Sequence, residues 1–440
     1  MTNFYVPLEI KSRDFYGRLL LSLRVCKDFG WTVYFGFRGD VNYFAKNFEP
    51  GIYYGLATIR NFEILYDEIK NNGNLITISD EEGLVTYSEK YYVSFKISKK
   101  ILKLSDAIFT WGEKNKKILD DQAPENINKF FALGNPRLDL LKKPFNSIYA
   151  NEINIIKKKY GKFFLICTNF SYTNYYDKNI KYSDLLKKRK FFKSDADIKE
   201  WEKYEKIKNS IFDELRLFLK NSNKIKNVKF IIRCHPSENF DVYKKFEEQY
   251  DNVFFDNSFS AHPWILASEG IINHYCTTTY EGLVANKNIY TIKPNYATVM
   301  EDEDFFKSTF IAKSYGELID FLSDKNNIRF ITDNGTYCSE NLKENYLSHK
   351  SIAAELGKLQ LKNLKYQKKS FFITRYKLLK ILHFFKDLIL MRKNEYVDHK
   401  IKNIKKNEIE KFINQNPDFK NNIKVDKICK NFFRLSNENY

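Results

Sequence analysis

The chain has 440 residues, of which 43% are hydrophobic and 17% aromatic, a composition that supplies packed cores and argues against general disorder. This length exceeds one ordinary core and predicts two domains with an appendage. With 73 Lys and Arg against 55 Asp and Glu, the net charge of +18 predicts an anionic partner: nucleic acid, phospholipid or a phosphorylated substrate. Six scattered cysteines predict reduced thiols, and the lack of a leader-like or bilayer-length apolar segment predicts a cytoplasmic protein.

Residues 1–155 alternate strand and helix patterns, which is typical of a Rossmann-like domain. A helix pattern with apolar positions 19, 20, 23 and 25 separates the first two strands. The strand patterns lie at residues 4–10, Thr32–Phe37, Leu75–Ser79, 107–111 and 130–133. We expect a linker between the two domains from Pro144 to about Lys159.

Residues 156–345 repeat the alternation and predict a second Rossmann-like domain. Its first strand, at 162–168, has almost no polar interruption, as expected for a sheet covered on both faces. After a charged segment and a long helix at 198–219, strands at 228–232 and Gly270–Asn273 each run into a polar turn. Open α/β sheets bind ligands beyond the carboxyl ends of their strands. We therefore predict an active site in a cleft between the two domains.

Three consecutive carboxylates, Asp80, Glu81 and Glu82, precede Gly83 at the exit of the strand Leu75–Ser79. Crowding of like charges raises the pKa of at least one carboxyl group. A carboxylate poised in this way can act as a general base. The alternative interpretation is a solvated acidic turn.

The turn after residue 232 contains Arg233, His235 and Pro236. His235 could donate a hydrogen bond to a phosphate that becomes the leaving group. A histidine at a strand exit can equally be a structural residue. An Asp-x-Asp pair at Asp195 and Asp197 lies in a charged segment and not at a strand end, so we predict no metal site.

Hydroxyl groups follow the strand Gly270–Asn273 at Thr277, Thr278 and Thr279. At the start of a helix they would offer hydroxyls and backbone N–H groups to an anion, although ordinary capping explains them as well. Glu281 could accept hydrogen bonds from ribose hydroxyls or merely favour the helix dipole.

The composition changes from about Lys358 onward, and we predict a basic amphipathic helical extension over residues 346–440. Apolar residues between Phe371 and Met391 alternate with Lys and Arg, a pattern that predicts a basic amphipathic helix. Two interpretations remain open. The helix lies on an anionic membrane surface, or its apolar face packs back onto the first domain.

The order of these motifs resembles that of bacterial sialyltransferase-like and Kdo-transferase-like enzymes. The matching residues are Glu81-Glu82-Gly83, His235-Pro236 and Thr277-Thr278-Thr279. The chain is more closely similar to bacterial surface carbohydrate biosynthesis proteins, through segments 7–13, 80–84, 134–137, 235–238 and 276–278. The implied fold class is α/β, GT-B, with two Rossmann-like domains facing a cleft. The segment 134–137 with a later His-Pro is also similar to CDP-glycerol glycerophosphotransferases.

The resemblance implies a metal-independent glycosyltransferase without a cofactor, acting in the cytoplasm or peripherally on the inner face of the plasma membrane. Its donor would be a CMP-activated Kdo or other nonulosonate such as sialic acid. Its acceptor would be a surface polysaccharide, such as a capsule or lipopolysaccharide, or a lipid-linked glycan. Glu81 would be the base, with Glu82 as the fallback, while His235, Thr277 and Thr278 would hold the donor phosphate.

Direct displacement of CMP needs a base and an electrostatic clamp, and a single displacement predicts inversion at the anomeric carbon. A doubly anionic donor fits a basic cleft, for which the predicted lining residues are Arg13, Arg38, Asn135, Arg137 and Arg233. Transfer of glycerol phosphate from CDP-glycerol is the competing enzymatic hypothesis. Nucleic-acid binding would need basic and aromatic residues interleaved on one face. We predict no nucleic-acid partner because much of the charge lies in the tail and in helices.

Overall fold

The computed structural model describes residues 2–83, 89–188, 192, 194–294, 306, 309–324, 345–360, 370–389, 403–420 and 422–438. The chain divides into two compact units. Unit 1 comprises Met1–Leu84, Glu89–Ile148 and Lys343–Tyr440, and unit 2 comprises Val85–Ser88 and Tyr149–Leu342. Leu84 of the acidic motif, Cys338, Tyr440 and the end of the predicted amphipathic helix at 390–391 lie outside the described residues.

Strands occur in both units and are numbered along the chain. They are β1 (Asn3–Leu8), β2 (Thr32–Phe37), β3 (Gly51–Gly55), β4 (Leu75–Ser79), β5 (Ala107–Thr110), β6 (Phe130–Ala132), β7 (Phe163–Cys167), β8 (Lys229–Arg233), β9 (Val253–Phe255), β10 (Gly270–Asn273), β11 (Asn288–Ile292), β12 (Phe310–Ala312), β13 (Ile423–Cys429) and β14 (Phe432–Asn437).

The α-helices are numbered in the same way. They are α1 (Lys11–Phe29), α2 (Arg38–Asn47), α3 (Glu63–Asn71), α4 (Glu89–Lys96), α5 (Lys99–Leu104), α6 (Glu113–Gln122), α7 (Pro136–Asp139), α8 (Ala150–Tyr160), α9 (Tyr182–Lys188), α10 (Asp195–Lys220), α11 (Phe240–Gln249), α12 (Ala261–Ala267), α13 (Thr278–Val284), α14 (Tyr315–Ser323), α15 (Ser348–Gly357), α16 (Ser370–Ile389) and α17 (Lys406–Gln415).

Unit 1 is organised around a sheet with the order β13-β14-β2-β1-β3-β4-β5-β6. Strands β1 to β6 are parallel. Because β2 and β3 lie on opposite sides of β1, the direction of winding reverses between β1 and β3. Open sheets bind ligands at such a reversal, beyond the carboxyl ends of the strands. The acidic motif follows β4, which adjoins β3, and therefore lies at this edge.

Unit 2 has a six-stranded parallel sheet with the order β12-β11-β10-β7-β8-β9. In chain order this is the 3-2-1-4-5-6 arrangement of a Rossmann fold, with its reversal between β7 and β10. All five residues of β7 are buried, as predicted for a strand covered on both faces. The polar turns predicted from the sequence follow β8 and β10, the two neighbours of β7.

One segment, the predicted linker, differs from the sequence-based expectation. The predicted linker from Pro144 to Lys159 contains a short 3-10 helix, Phe145–Tyr149, and most of α8. Asp197 of the Asp-x-Asp pair forms a capping box with Ser194 at the start of α10, which gives this carboxylate a structural partner. Within the described ranges no group of three or more His, Cys, Asp or Glu is arranged to hold a metal ion.

The C-terminal residues return to unit 1. Strands β13 and β14 form an antiparallel hairpin, and β14 pairs antiparallel with β2 at the edge of the sheet. The Asp139 carboxylate accepts hydrogen bonds from the backbone N–H groups of Ser348 and His349 at the start of α15. The extension is therefore helical only in part, since its last segment adds two strands to the first sheet.

Helix α16 packs against the rest of unit 1 through one face. Tyr376 on this face is buried, and its ring centre lies 4.8 Å from that of Phe44. The Tyr376 hydroxyl donates a hydrogen bond of 2.6 Å to Asp40. For the face of α16 that contains Tyr376, these contacts agree with the interpretation that the helix packs onto the first domain. In the part of the chain that the structure describes, no helix combines the length and apolarity needed to cross a bilayer.

Candidate active site

Three loops meet at the carboxyl edge of the unit 2 sheet. Ser171, in the loop after β7, places its Oγ 3.4 Å from His235 Nδ1 and 2.6 Å from Ser237 Oγ, both in the turn after β8. Asn169, in the same loop, donates a hydrogen bond of 2.9 Å to the carbonyl oxygen of Tyr275, after β10. The loop after β7 therefore links the two turns that the sequence predicted as a phosphate site.

The contacts of His235 define which ring nitrogen carries the proton. The backbone N–H of Ser237 donates to His235 Nδ1 at 3.3 Å, and the Ser237 hydroxyl lies 2.6 Å from the same atom. A neutral imidazole that accepts at Nδ1 carries its proton on Nε2. The ring is exposed, so its Nε2–H can donate to a ligand at this edge. Pro236, which follows it, is exposed as well.

Glu238 holds the turn that presents His235. Its carboxylate is 1% exposed and accepts hydrogen bonds from the Thr168 hydroxyl, the Phe170 backbone N–H and the Tyr243 hydroxyl. Burial raises the pKa of Glu238 to about 7, although these three donors lower it. Glu238 thus ties the loop after β7 and helix α11 to the turn that presents His235.

Arg233 supplies positive charge at the same edge. It is the last residue of β8 and pairs in register with Cys167, the last residue of β7. Its Nε is buried and has no hydrogen-bond partner among the residues that the structure describes. Over the described ranges no carboxylate lies within ion-pair distance of the Arg233 guanidinium. A cation that the protein leaves uncompensated favours binding of an anion.

The predicted threonines have three different environments. Thr277 is partly exposed and makes no side-chain capping bond to α13. The Thr278 hydroxyl is buried and has no hydrogen-bond partner in the described part of the chain. Thr279 is fully buried, and its hydroxyl accepts a bond of 3.0 Å from Asn273 Nδ2. The structure therefore gives Thr279 an internal role and leaves Thr277 and Thr278 as candidates for ligand contact.

Glu281 lies away from solvent. It is 5% exposed, and its Oε1 is 3.9 Å from His262 Nε2. His262 in turn forms a 3.0 Å hydrogen bond through Nδ1 with the Tyr149 hydroxyl. His262 and Glu281 are thus packed together inside unit 2, and the contact between Glu281 and a ribose stays a prediction.

The corresponding edge of unit 1 contains a buried ion pair. Arg18, which is 2% exposed, donates through Nε to Glu81 Oε1 at 2.8 Å. Its other nitrogens donate to the carbonyl oxygens of Tyr54 and Gly55 at the end of β3, at 2.9 and 3.0 Å. Arg18 therefore joins β3 and the acidic motif at the point where the sheet reverses.

Two residues of segment 134–137 complete this ion pair. Asn135 donates through Nδ2 to Glu81 Oε2 at 3.1 Å, and its Oδ1 accepts from the Arg137 backbone N–H at the start of α7. The Arg137 guanidinium lies 4.0 Å from Glu81 Oε2 and 5.0 Å from the centre of the Trp111 ring. Helix α1 approaches closely because Gly17 faces the Arg137 backbone, where a Cβ atom would lie 2.9 Å from Arg137 N. Glu81, Asn135 and Arg137 thus form one internal cluster.

Glu82 lies at the surface among cations. Its side chain is 57% exposed, with Oε1 2.8 Å from Arg13 and Oε2 2.7 Å from Lys96. The charge of Lys96, followed by that of Arg13, holds the pKa of Glu82 far below its usual value. Such a carboxylate is a poor proton acceptor at neutral pH.

Asp80 has the environment that the acidic motif was expected to provide. The residue is 7% exposed, Oδ1 accepts from the Glu82 backbone N–H at 2.9 Å, and Oδ2 is buried without a hydrogen-bond partner among the described residues. Burial raises the pKa of Asp80 to about 6, while Lys96 lowers it and the neighbouring carboxylates raise it. Burial, more than the predicted crowding of like charges, therefore causes the raised pKa.

Arg13 and Arg38 lie on either side of one carboxylate. Glu9 is 3.7 Å from Arg13 and 3.2 Å from Arg38, and Arg13 also pairs with Asp14 at 2.5 Å. The structure thus gathers Arg13, Arg38 and Glu82 at the carboxyl edge of unit 1. The site residues predicted from the sequence thus form one group in unit 1 and another in unit 2.

Sequence reasoning missed Arg18, Asn169 and Ser171. Arg18 is one of several arginines in α1, and its partner Glu81 is 63 residues away. Asn169 and Ser171 follow a buried apolar strand, the pattern that identified His235 and Thr277. Applied to β7, the same strand-exit rule would have found them.

Known structures share this architecture. The crystal structure of UDP-GlcNAc 2-epimerase from Neisseria meningitidis bound to UDP-GlcNAc aligns over 82% of this chain and all of its own, at 13% identity and a TM-score of 0.51. The enzyme from Methanocaldococcus jannaschii aligns over 81% and 99%, at 11% identity and a TM-score of 0.51. The wall teichoic acid polymerase TagF aligns over 81% and 88%, at 10% identity and a TM-score of 0.49.

A scan of protein-family models and a search of curated protein sequences give no match. At these identities the structural similarity establishes the fold. The predicted fold class is confirmed: the chain is an α/β protein of the GT-B type with two Rossmann-like units.

Proposed function

We propose that this protein is a transferase that uses a nucleotide-activated donor, and that unit 2 binds the donor phosphate. The observation that carries the proposal is Arg233, whose guanidinium has no carboxylate partner within the described residues, at the carboxyl edge beside His235. An uncompensated cation and an exposed imidazole N–H at the reversal of a Rossmann sheet are suited to bind a phosphate. Thr277 and Thr278 add hydroxyls at the same edge.

The proposed base is Asp80, in place of Glu81. Glu81 is committed to Arg18 and Asn135, and Glu82 to Arg13 and Lys96. One carboxylate oxygen of Asp80 has no hydrogen bond within the described part of the chain, and its raised pKa of about 6 still leaves it ionised at neutral pH. A base of this kind accepts a proton without first losing an ion pair.

The proposed reaction is a single displacement. Asp80 takes the proton of the acceptor hydroxyl as the acceptor oxygen forms a bond to the anomeric carbon of the donor. The bond between that carbon and the phosphate oxygen breaks, and the nucleotide leaves with the electron pair. Arg233 and His235 stabilise the negative charge that develops on the phosphate. Inversion at the anomeric carbon is the expected outcome, and we propose that these side chains allow transfer without a metal ion.

For the donor we propose a CMP-activated nonulosonate such as Kdo, transferred to a surface polysaccharide or lipid-linked glycan. The support is the motif set Glu81-Glu82-Gly83, His235-Pro236 and Thr277-Thr278-Thr279. CDP-glycerol is the second candidate donor. It is supported by segment 134–137, in which Asn135 and Arg137 surround Glu81. Both donors contain cytidine, so with either donor we expect the protein to bind cytidine nucleotides selectively.

The test is calorimetric titration of the protein with CMP, CDP, UMP, UDP and ADP. Wild type, His235→Ala and Arg233→Gln are compared with Arg216→Gln. This control removes a cation from the exposed surface of α10, where Arg216 pairs with Asp213. We expect cytidine nucleotides to bind selectively, with the two site substitutions weakening binding and the control leaving it unchanged.

Two other results have distinct meanings. Preference for a uridine nucleotide, still dependent on Arg233, would overturn the cytidine donor and keep the nucleotide-dependent transferase. Absence of nucleotide binding, or equal binding by wild type and Arg233→Gln, would overturn the proposed function.

A further inference from the structure

Helix α16 exposes an apolar surface on the side that faces away from Tyr376 and the rest of unit 1. Leu378, Ile381 and Leu382 are 57%, 52% and 57% exposed. Residues three and four positions apart in a helix are neighbours, so these three side chains form one continuous surface, which we call the α16 apolar surface. Single exposed apolar residues are ordinary, whereas a continuous group marks a contact with another apolar phase.

The opposite side of α16 fixes this orientation. Tyr376 is buried against Phe44 and donates to Asp40, and Lys380 forms an ion pair with the same carboxylate. Asp40 is itself only 3% exposed. Turning the helix to bury its apolar surface would leave this carboxylate without either partner. The helix is therefore held with leucine and isoleucine outward.

The charge around the α16 apolar surface indicates what it contacts. Arg375 and Lys377 are exposed on the same helix, adjacent in sequence to the buried Tyr376. Residues 358–440 contain 21 Lys and Arg against 8 Asp and Glu, so +13 of the chain's net +18 lies in this last part. Apolar side chains bordered by cations match a bilayer with anionic headgroups, because long basic side chains can extend to the headgroups while the apolar ones insert.

The geometry points to the α16 apolar surface as a docking site for an anionic lipid bilayer, on which the helix lies parallel to the membrane plane. Binding combines burial of three apolar side chains with attraction of the basic tail to the headgroups. Three inserted side chains give reversible attachment. The inference rests on unit 1 alone and does not depend on the proposed transferase activity.

The test is flotation of the full-length protein with two kinds of vesicle. One contains only zwitterionic lipid, and in the other about a third of the lipid is anionic. The variant replaces Leu378, Ile381 and Leu382 by Ser. The matched control replaces Ile64, Ile127 and Ile155 by Ser, since these residues are 75%, 53% and 46% exposed elsewhere on the molecule. Thermal unfolding of each protein confirms that it folds.

We expect wild type and control to partition at least about ten-fold more strongly onto anionic vesicles, and the α16 variant to lose about ten-fold or more of that binding. Rising salt should weaken binding of wild type. Equal binding by the α16 variant and wild type would overturn the proposal, as would the absence of wild-type binding. Light scattering that shows a wild-type dimer dissociated by the α16 substitutions, without lipid binding, would assign the surface to a second copy and also overturn it.

Discussion

The carboxyl edges of the two sheets each contain an arginine near the reversal of strand order, but the two arginines differ in their partners. In unit 1, Arg18 donates to the Glu81 carboxylate and to two carbonyl oxygens at the end of β3. In unit 2, the described residues provide neither a hydrogen-bond partner for the buried Nε of Arg233 nor a carboxylate that pairs with its guanidinium. A buried arginine whose donors are used by its own chain stabilises the fold, whereas one left uncompensated attracts a ligand. The same topology thus contains one structural edge and the edge for which we propose phosphate binding.

The largest expected effect separates Asp80 from its two neighbours. Asp80→Asn should lower kcat by about 10²- to 10⁴-fold with nucleotide affinity unchanged, because the proton acceptor is removed. Wild-type kcat should rise with pH and level off above about 6, since Asp80 is protonated below its raised pKa. The check is a turnover assay with donor and acceptor present, in which the release of the cytidine nucleotide is measured from pH 5 to 8. Wild type, Asp80→Asn and Glu82→Gln are compared. A Glu82→Gln variant that loses more turnover than Asp80→Asn would contradict it.

Breaking the ion pair in unit 1 should reduce stability more than any substitution at Arg233. Arg18→Met removes the cation that donates a hydrogen bond to the buried Glu81 and, among the described residues, leaves only Arg137 at 4.0 Å, so we expect the free energy of unfolding to fall by about 3–5 kcal/mol. Denaturant unfolding followed by tryptophan fluorescence measures this. The control is Arg24→Met on the same helix, where a partly exposed pair with Asp28 contributes at most about 1 kcal/mol. Equal losses in both variants would show that Arg18 is not the structural cation of this edge.

Arg233→Gln should have the opposite profile. We expect nucleotide affinity to fall by about 10- to 100-fold, because a charge-assisted contact to phosphate is lost. The free energy of unfolding should stay constant or increase, since an uncompensated charge is removed. Calorimetry and denaturant unfolding on the same preparations give both quantities. Destabilisation with unchanged affinity would place Arg233 with Arg18 as a structural residue and remove the contrast between the edges.

The last expected effect is a pH dependence of stability, and it concerns Glu238 beneath the His235 turn. Its folded-state pKa of about 7 lies above the usual value of 4.5 for a glutamate, so the folded protein binds the extra proton. Its contribution to stability is therefore full below pH 4.5 and is lost as pH rises towards 7. Glu238→Gln should flatten this interval of the stability curve by up to about 3 kcal/mol, because each unit of difference in pKa corresponds to about 1.4 kcal/mol. The measurement is the free energy of unfolding of both proteins at several pH values between 4.5 and 8. Parallel curves for wild type and variant would contradict the assignment of this pH dependence to Glu238.

Much of the fold could be predicted because its strands are buried apolar runs that end in polar residues. Strands β2, β4 and β10 have the bounds that the sequence pattern gave. The hairpin β13–β14 was missed because Lys424, Asp426 and Lys427 make β13 indistinguishable from the basic tail around it. Its pairing with β2 depends on a contact some four hundred residues apart in sequence, which no local pattern encodes.

The sequence predicted where the candidate residues lie better than it predicted what each of them does. The acidic motif and the His235 turn were placed correctly at strand exits, where local pattern suffices. The roles within the acidic motif depend on Arg18, Asn135 and Lys96, which approach from other elements. Three neighbouring carboxylates look equivalent in the sequence, and only their different partners distinguish a buried ion pair, an exposed one and an unpaired oxygen.

The hairpin β13–β14 has a consequence for protein synthesis. Strand β2 is made among the first 37 residues, whereas its partner β14 ends at Asn437. Most of unit 2, from Tyr149 to Leu342, leaves the ribosome in between. Unit 2 can therefore fold while β2 still has an unpaired edge, and the first unit to be started is the last to be completed. A chain cut off before Ile423 would keep that open edge permanently, and open edges of this kind pair with other chains.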